Sequence, residues 1–527
     1  MIFSYGGIKK IKIPYKKEDF LALSPEELIK VYEKYLTYCL QSHSYNAQKE
    51  DYYYKYFLGF QDIRCKKREF LGDEATNSEA NQKVTENHAN AQVTFKVDFL
   101  MGDKIQFTHK SDIESDDLTF LDRFLADSNF YTAFRETKKM MYAVGVGTTF
   151  SVPRTDIIDY NGNYINYNKD TNAPFICKDV DPRYNFVVYS NYYDETPLFC
   201  ASIIINEVDN TSEIVVNNGN YTVSFASTYP TFSDLPIGYG ISAPIKITQN
   251  AFKEIPIIEH TRNKERMGLI ELNKDLFDVI NLIASNSADA IVDTVNNILV
   301  FENVEVDEET VKEMRRGGTI QVKSSGDPNT PSKVYTLEVK MNHADVNVFY
   351  DQRVSKAYDI AGVPIASGVT STGGQTGQAR LLGGGWENAY TKIKGDIIGM
   401  EESDYELLKL LLDICHTIPG NKVNELSASQ IEIKYNINPN DNVLSKAQSA
   451  NNLFNIGMPP EMVLEKTGLS MDTHADGYKW AQYLKQLNAE KNKIAEMSVD
   501  TGTAGFMRIN SGDNKYNENK EISTPKG

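Results

Sequence analysis

Tryptophan is almost missing from this chain, at 2 residues in 527. Cysteine is sparse too, with five residues at Cys39, Cys65, Cys177, Cys200 and Cys415. An odd number at long separations, without a CxxC pair, points to neither a disulfide framework nor a zinc site, so buried thiols in a reducing cell are expected. No uncharged apolar run reaches the roughly 18 residues of a membrane helix. The strongest run, 407–414, is broken by Lys409 and Asp413. The start, Met1-Ile-Phe-Ser-Tyr-Gly-Gly-Ile-Lys-Lys, carries no secretory pattern. These absences predict a soluble, unsecreted protein with no membrane partner. Positive charge is also short: 55 Lys and Arg stand against 72 Asp and Glu, a net of −17. Tight DNA wrapping or base reading needs a basic footprint, so that class is disfavoured. A channel through which DNA slides is compatible with an acidic chain.

Catalytic signatures are missing as well. Gly373-Gly-Gln-Thr-Gly-Gln is the nearest approach to a phosphate loop, but it lacks the Gly-Lys-Ser/Thr ending that supplies charge and a magnesium-binding hydroxyl. The seven histidines form no HExxH and no metal-ligand pair. His260 and His343 read as helix-boundary residues. Asp289 and Asp293 lie one helical turn apart, with Glu302 beyond, and read as a solvated face. There is no G-x-S-x-G elbow. The expectation is a protein that is not an enzyme, with no cofactor and no metal.

Tyrosine is abundant instead, at 31 residues; it suits extended protein–protein contact because it offers apolar area at little entropic cost, and it suits ordinary strands as well, so alone it argues only weakly for assembly. Ser24-Pro-Glu-Glu reads as a capped helix start, predicting a helix to about residue 40 and a second, aromatic one from Asp51. Arg64, Lys66, Lys67 and Arg68 form a basic patch that reads as a solvated face. Helical patterns follow over 87–100 and 118–142. Residues 148–258 read as antiparallel strands, with Asn161-Gly and Asn218-Gly as hairpin turns and 226–245 as a turn-rich loop. A long helix is expected over 266–296, where Leu269, Leu272, Leu276, Val279 and Ile283 recur at spacings of three and four. A small α/β excursion, 299–340, separates it from a second helix at 345–360. The stretch 362–385 is rich in glycine, and Arg380 is its only charged residue; a loop of that length is functional or disordered. Helix returns over 386–418, where Gly395 and Gly399 permit a bend. A strand at 431–435 and helices at 440–456, 460–467 and 480–497 precede a polar tail.

Several segments, in order, resemble the phage portal family of long-tailed Bacillus phages. They are Asn87-His-Ala-Asn leading to Val97-Asp-Phe-Leu-Met-Gly-Asp-Lys-Ile, then Asp181-Pro-Arg-Tyr-Asn-Phe-Val-Val-Tyr, then Ile255-Pro-Ile-Ile-Glu-His with Arg266 and Leu276-Phe-Asp-Val-Ile-Asn. Leu299-Val-Phe and Tyr358-Asp-Ile-Ala-Gly-Val-Pro complete the set. The sequence departs from the family at Asp103-Lys104, where Gly or Lys and then Pro are usual, and in the glycine-rich loop and the acidic helix after it.

The resemblance implies an α+β portal fold with wing, stem, clip and crown regions, paired long stem helices and an oligomeric central channel. Residues 1–250 would be wing, 251–298 the first stem helix, 299–340 the clip and 341–362 the second stem helix. Residues 363–385 would form the tunnel loop, 386–439 a return to the wing, 440–500 the crown and 501–527 a flexible tail. Leu269, Leu272, Leu276, Val279 and Ile283 would pack the stem. Arg380 would meet DNA in the channel, Gln375 and Gln378 would stand with it in the tunnel loop, and Gly373, Gly374 and Gly377 would give that loop mobility. Implied partners are about eleven further copies in a closed ring, double-stranded DNA, the terminase large subunit, a head completion or adaptor protein, and the major capsid and scaffolding proteins. The implied location is the portal vertex of the virion. Two rival readings stay open: another ring of the tail or baseplate, and a nucleic-acid-processing enzyme with its own ATPase or nuclease activity.

Overall fold

The computed structural model describes residues 6–500 apart from 67–81, 111–116, 155–167, 169–170, 207, 209–210, 228–240, 296–297, 303–332, 338–342, 366–385, 419–422, 424–425, 438–442, 468 and 471–472. The chain divides into two compact units, Met1–Asn440 and Asp441–Gly527.

In the first unit, helix α1 (Lys17–Leu21) precedes α2 (Pro25–Phe57). Ser24 caps α2 through a reciprocal pair with Glu27. The sequence suggested two helices here, yet α2 runs unbroken. Its middle, rich in polar residues, has no helix breaker. His43, Asn46, Lys49 and Glu50 are buried there, and partners elsewhere in the chain hold three of them: His43 meets the Arg183 carbonyl, Asn46 the main chain of Lys9, and Lys49 the carboxylate of Glu271. Conversely, the single helix expected at 118–142 is two, α4 (Asp117–Asp127) and α5 (Phe130–Val144), after α3 (His88–Met101). Asn129 separates them in a left-handed conformation, φ 56°.

A six-stranded sheet has the order β1-β5-β6-β7-β8-β9. Its members are β1 (Ile11–Ile13), β5 (Asn185–Ser190), β6 (Pro197–Asn206), β7 (Thr211–Asn217), β8 (Tyr221–Ser227) and β9 (Ile241–Gln249). Strand β1 is parallel to β5 and the remaining pairs are antiparallel. The turn-rich reading of 226–245 fails at its far end, where β9 forms. Pro244 is tolerated because β9 is an edge strand. The Asn218-Gly219 turn joins β7 to β8, with Gly219 at φ +89°. Asn161-Gly lies outside the described residues.

Strand β3 (Val146–Pro153) sits between β4 (Phe175–Val180) and β10 (Ile257–Thr261). Strand β2 (Gln106–His109) pairs with β13 (Ile431–Lys434), and β11 (Ile298–Glu302) with β12 (Lys333–Leu337). The long helices are α6 (Leu269–Val295), α7 (His343–Ala361) and α8 (Trp386–His416). Helix α6 begins after residue 266 because Arg266 is left-handed, φ 56°.

Among the described residues the buried apolar side chains form two large cores and a small cluster of Val187, Cys200 and Ile257. Phe20, Leu28, Tyr32, Leu36 and Leu40 pack on the inner face of the six-stranded sheet through Phe186, Phe199, Ile214, Val223 and Phe225. The larger core joins Tyr53, Tyr56 and Phe57 to α3, α4, α5, α6 and α8. Helix α2 serves both, its first half in one and its last turns in the other.

The second unit holds α9 (Val443–Asn455), α10 (Pro460–Thr467) and α11 (Thr473–Asp500), the last longer than the sequence suggested. Phe454 stacks on Trp480 at 5.1 Å.

Candidate assembly surface

Helix α6 is amphipathic in an unusual sense. Its inward face carries Ile270, Phe277 and Ile280, but also Glu271, Asn273, Asn281, Ser285 and Asp289, all buried. The stripe singled out in the sequence turns mostly the other way. Leu269 is buried at the first turn and Leu276 packs partly against the core, whereas Leu272 and Val279 are 42% and 37% exposed and Ile283 is half-buried. Polar groups thus share the inside with part of the apolar set, while Leu272 and Val279 stand outside. Helix α7 adds exposed Val348 and Phe349, the latter under the Arg353 guanidinium at 4.4 Å. Covering one leucine-class side chain is worth about 1.5–3 kcal/mol, so these positions favour a partner.

The foot of α6 is locked by charge. Glu271 Oε1 accepts from Lys49 Nζ at 2.7 Å and from the amides of Gly6 and Gly7. One turn on, Lys274 binds Asp278 and Asp62. Burial alone would lower that ammonium, but the two carboxylates overcome it and hold its pKa above the ordinary range.

Two residues of the same face, Asn281 and Ser285, and below them Asp289, accept from the main chain of residues 82–86: Glu86 N reaches Asn281 Oδ1 at 2.9 Å, Val84 N reaches Ser285 Oγ at 3.0 Å and Gln82 N reaches Asp289 Oδ1 at 2.8 Å. The reading of Asp289 as solvated is therefore corrected: it is buried and holds a backbone amide. His260 is likewise no boundary residue. It is fully buried, with Nε2 at 3.0 Å from Thr149 Oγ1 and Nδ1 at 3.0 Å from Asp404 Oδ1.

Asp404 and Asp396 form a second constellation that the sequence reading missed. Asp404 accepts from Lys138, His260 and Tyr435. Burial would raise its carboxyl, but the Lys138 charge and the His260 hydrogen bond keep it below the usual range. Asp396 meets Lys96 at 3.5 Å, Arg262 at 3.1 Å and the Tyr142 hydroxyl at 3.3 Å. The available signal was their placement beside Ile393, Met400 and Leu407 on one apolar face of α8. These groups are sealed inside the unit, so they tie α3, α5 and β10 to α8.

Among the described residues no cluster of three or more His, Cys, Asp or Glu could hold a metal, and no helix is long and apolar enough to cross a membrane. Cys39, Cys177, Cys200 and Cys415 are buried thiols, while Cys65 is exposed. Arg64 and Lys66 are exposed; Lys67 and Arg68 lie outside the described residues. So do Arg380, Gly373, Gly374, Gln375, Gly377 and Gln378, along with residues 303–332 and 338–340 of the α/β excursion expected at 299–340.

The pattern of the family described as phage portal protein, SPP1 Gp6-like, matches residues 36–497. No curated protein matches the chain.

Proposed function

This chain belongs to the phage portal protein family, SPP1 Gp6-like, and from that premise we propose that it is one subunit of the closed ring at the capsid vertex through which double-stranded DNA is packaged and ejected. Portal proteins are structural and non-catalytic. ATP hydrolysis would belong to a separate motor.

The observation that carries the reading is the outward stripe of α6. A helix that buries asparagine, serine and aspartate while exposing Leu272 and Val279 is a poor solution for a lone subunit. It becomes a good one when copies close around an axis, because cyclic closure covers the same stripe on every copy. On this reading α6 and α7 are the stem helices, β11 and β12 belong to the clip, and 1–250 with 386–439 form the wing. The helices of the second unit form the crown. The ring has about twelve copies and belongs to a long-tailed phage of the Bacillus type. The clip meets the terminase large subunit and the head completion protein, and the ring's further partners are the major capsid and scaffolding proteins. Arg380 touches phosphate weakly, since one positive charge positions without holding, and Gly373, Gly374 and Gly377 give its loop freedom.

Native mass spectrometry and end-on electron micrographs of the full chain test this. A closed ring with a central hole is expected. A chain that stays monomeric at every concentration overturns the reading. For the channel contact, Arg380→Ala is expected to lower packaging efficiency or DNA retention, and unchanged values reject that contact.

A further inference from the structure

We propose that Asn281, Ser285 and Asp289 are positioning residues: by gripping the main chain of residues 82–86 they fix the rotation of α6 about its own axis, and so keep the Leu272–Ile283 stripe facing outward for a second copy of this chain. The inference rests on the ring reading and says what makes the ring-forming face available.

Helix α6 has two apolar arcs. One holds Ile270, Phe277 and Ile280; the other holds Leu272, Leu276, Val279 and Ile283. Hydrophobic burial is non-directional, so either arc could turn inward. Hydrogen bonds are directional and settle the choice. The three acceptors stand four residues apart on the helix, a rise of about 6.0 Å per step, and the three amides stand two residues apart on an extended chain, about 6.6 Å per step. The two repeats run antiparallel and nearly match, so Glu86, Val84 and Gln82 meet Asn281, Ser285 and Asp289 in turn.

Rolling α6 by one residue, about 100°, would carry all three acceptors away from the strap and strip its amides of their partners. The grip is anchored at both sides. Asn281 Nδ2 donates to Gln61 Oε1, and Gln61 Nε2 donates to Asn87 Oδ1 at 3.0 Å, the same oxygen that caps α3 by accepting from Asn90 N at 3.2 Å. The Glu86 carboxylate accepts from the Tyr350 hydroxyl of α7 and lies 3.1 Å from His88 Nε2. The strap therefore references the rotation of α6 to both α3 and α7.

The test compares the full-length wild type with Ser285→Ala/Asp289→Ala and with the conservative pair Ser285→Thr/Asp289→Asn, which keeps both acceptor oxygens. Ring fraction is read by native mass spectrometry and amide exchange at residues 82, 84 and 86 by mass spectrometry. The alanine pair is expected to lower the ring fraction at a fixed concentration at least about tenfold and to speed exchange at those amides by a similar factor, while the conservative pair restores both. Equal ring fractions in wild type and alanine pair overturn the positioning role, as does equal loss in the conservative pair. Should the alanine pair fail to fold, fast exchange at 84 and 86 in wild-type rings overturns the proposal and slow exchange supports it. A wild type that forms no ring overturns the underlying functional reading instead.

Discussion

Lys49 and Glu271 stand 222 residues apart in sequence, yet their side chains meet at 2.7 Å with almost no exposure. The same Glu271 oxygen accepts the amides of Gly6 and Gly7, so one carboxylate ties the N-terminal segment and α2 to the first turn of α6. Removing one member of a buried pair strands the other charge, at a cost of about 3–5 kcal/mol. Lys49→Met is expected to destabilise the protein by that amount, read from the denaturant midpoint. Lys49→Met/Glu271→Gln is expected to recover most of it, because the amide oxygen still accepts from both glycines. Equal loss in the two variants would show that the charge is not what matters.

The core between α2 and the six-stranded sheet should respond to acid through His43. Its ring stacks on Phe186 at 4.1 Å and its Nε2 meets the Arg183 carbonyl at 2.9 Å. Burial pushes the imidazole down to about 4. The folded state therefore keeps His43 neutral where the unfolded chain protonates it. Its contribution is complete above the ordinary histidine value near 6.5 and is lost as pH falls toward 4, amounting to about 3 kcal/mol. His43→Phe is expected to flatten the stability difference between about pH 7.5 and about pH 5, a span that covers the upper part of that loss. Glu50 contributes with the opposite sign, since burial raises its carboxyl: its share is present at low pH and declines as pH rises. An unchanged slope in His43→Phe would remove His43 as the source.

Helix α8 offers an internal control for close packing. A Cβ on Gly399 would stand 2.0 Å from the Arg262 carbonyl oxygen, whereas nothing lies within 4 Å of one on Gly395. Gly399→Ala must push the chain leading into α6 away from α8, and it is expected to cost about 1–3 kcal/mol. Gly395→Ala gains helix propensity and is expected to stabilise by up to about 1 kcal/mol. Thermal unfolding of the two variants checks the contrast. The sequence suggested that both glycines permit a bend, but Gly399 has the separate task of letting two backbones touch.

Elements with strong local signals were legible in the sequence: the Ser24 cap, the Asn218-Gly219 hairpin and the long α6 all appear where pattern placed them. What failed was long-range. The polar centre of α2 looked like a break because its partners, Gly7, Lys9, Arg183 and Glu271, lie far along the chain. Tyrosine abundance suited contact surface and strands alike, and a third use lay outside composition: among the described residues six hydroxyls donate to carboxylates, Tyr52 to Asp62, Tyr56 to Asp278, Tyr142 to Asp396, Tyr189 to Glu259, Tyr350 to Glu86 and Tyr435 to Asp404. Two of these acceptors, Asp396 and Asp404, are buried, so there the hydroxyl helps to satisfy a carboxylate shut away from water. The outward stripe of α6 was visible as periodicity, but its direction was not. Periodicity finds an apolar arc; only the asparagine, serine and aspartate on the other side reveal which arc the subunit keeps for itself.

That distinction separates folding from assembly by mutation. Phe277 is buried against Tyr56, their rings 6.3 Å apart, and Phe277→Ala is expected to cost about 3–5 kcal/mol of subunit stability. Leu272 and Val279 are exposed on the same helix, so Leu272→Glu/Val279→Glu is expected to leave subunit stability within about 0.5 kcal/mol per site. It should nevertheless abolish ring closure, because each contact would bury carboxylates without partners. Denaturant unfolding of the monomer and light scattering of the assembly read the two effects independently. If the double glutamate variant still closes rings of wild-type size, the stripe is not the subunit contact, and another face of the chain carries the assembly.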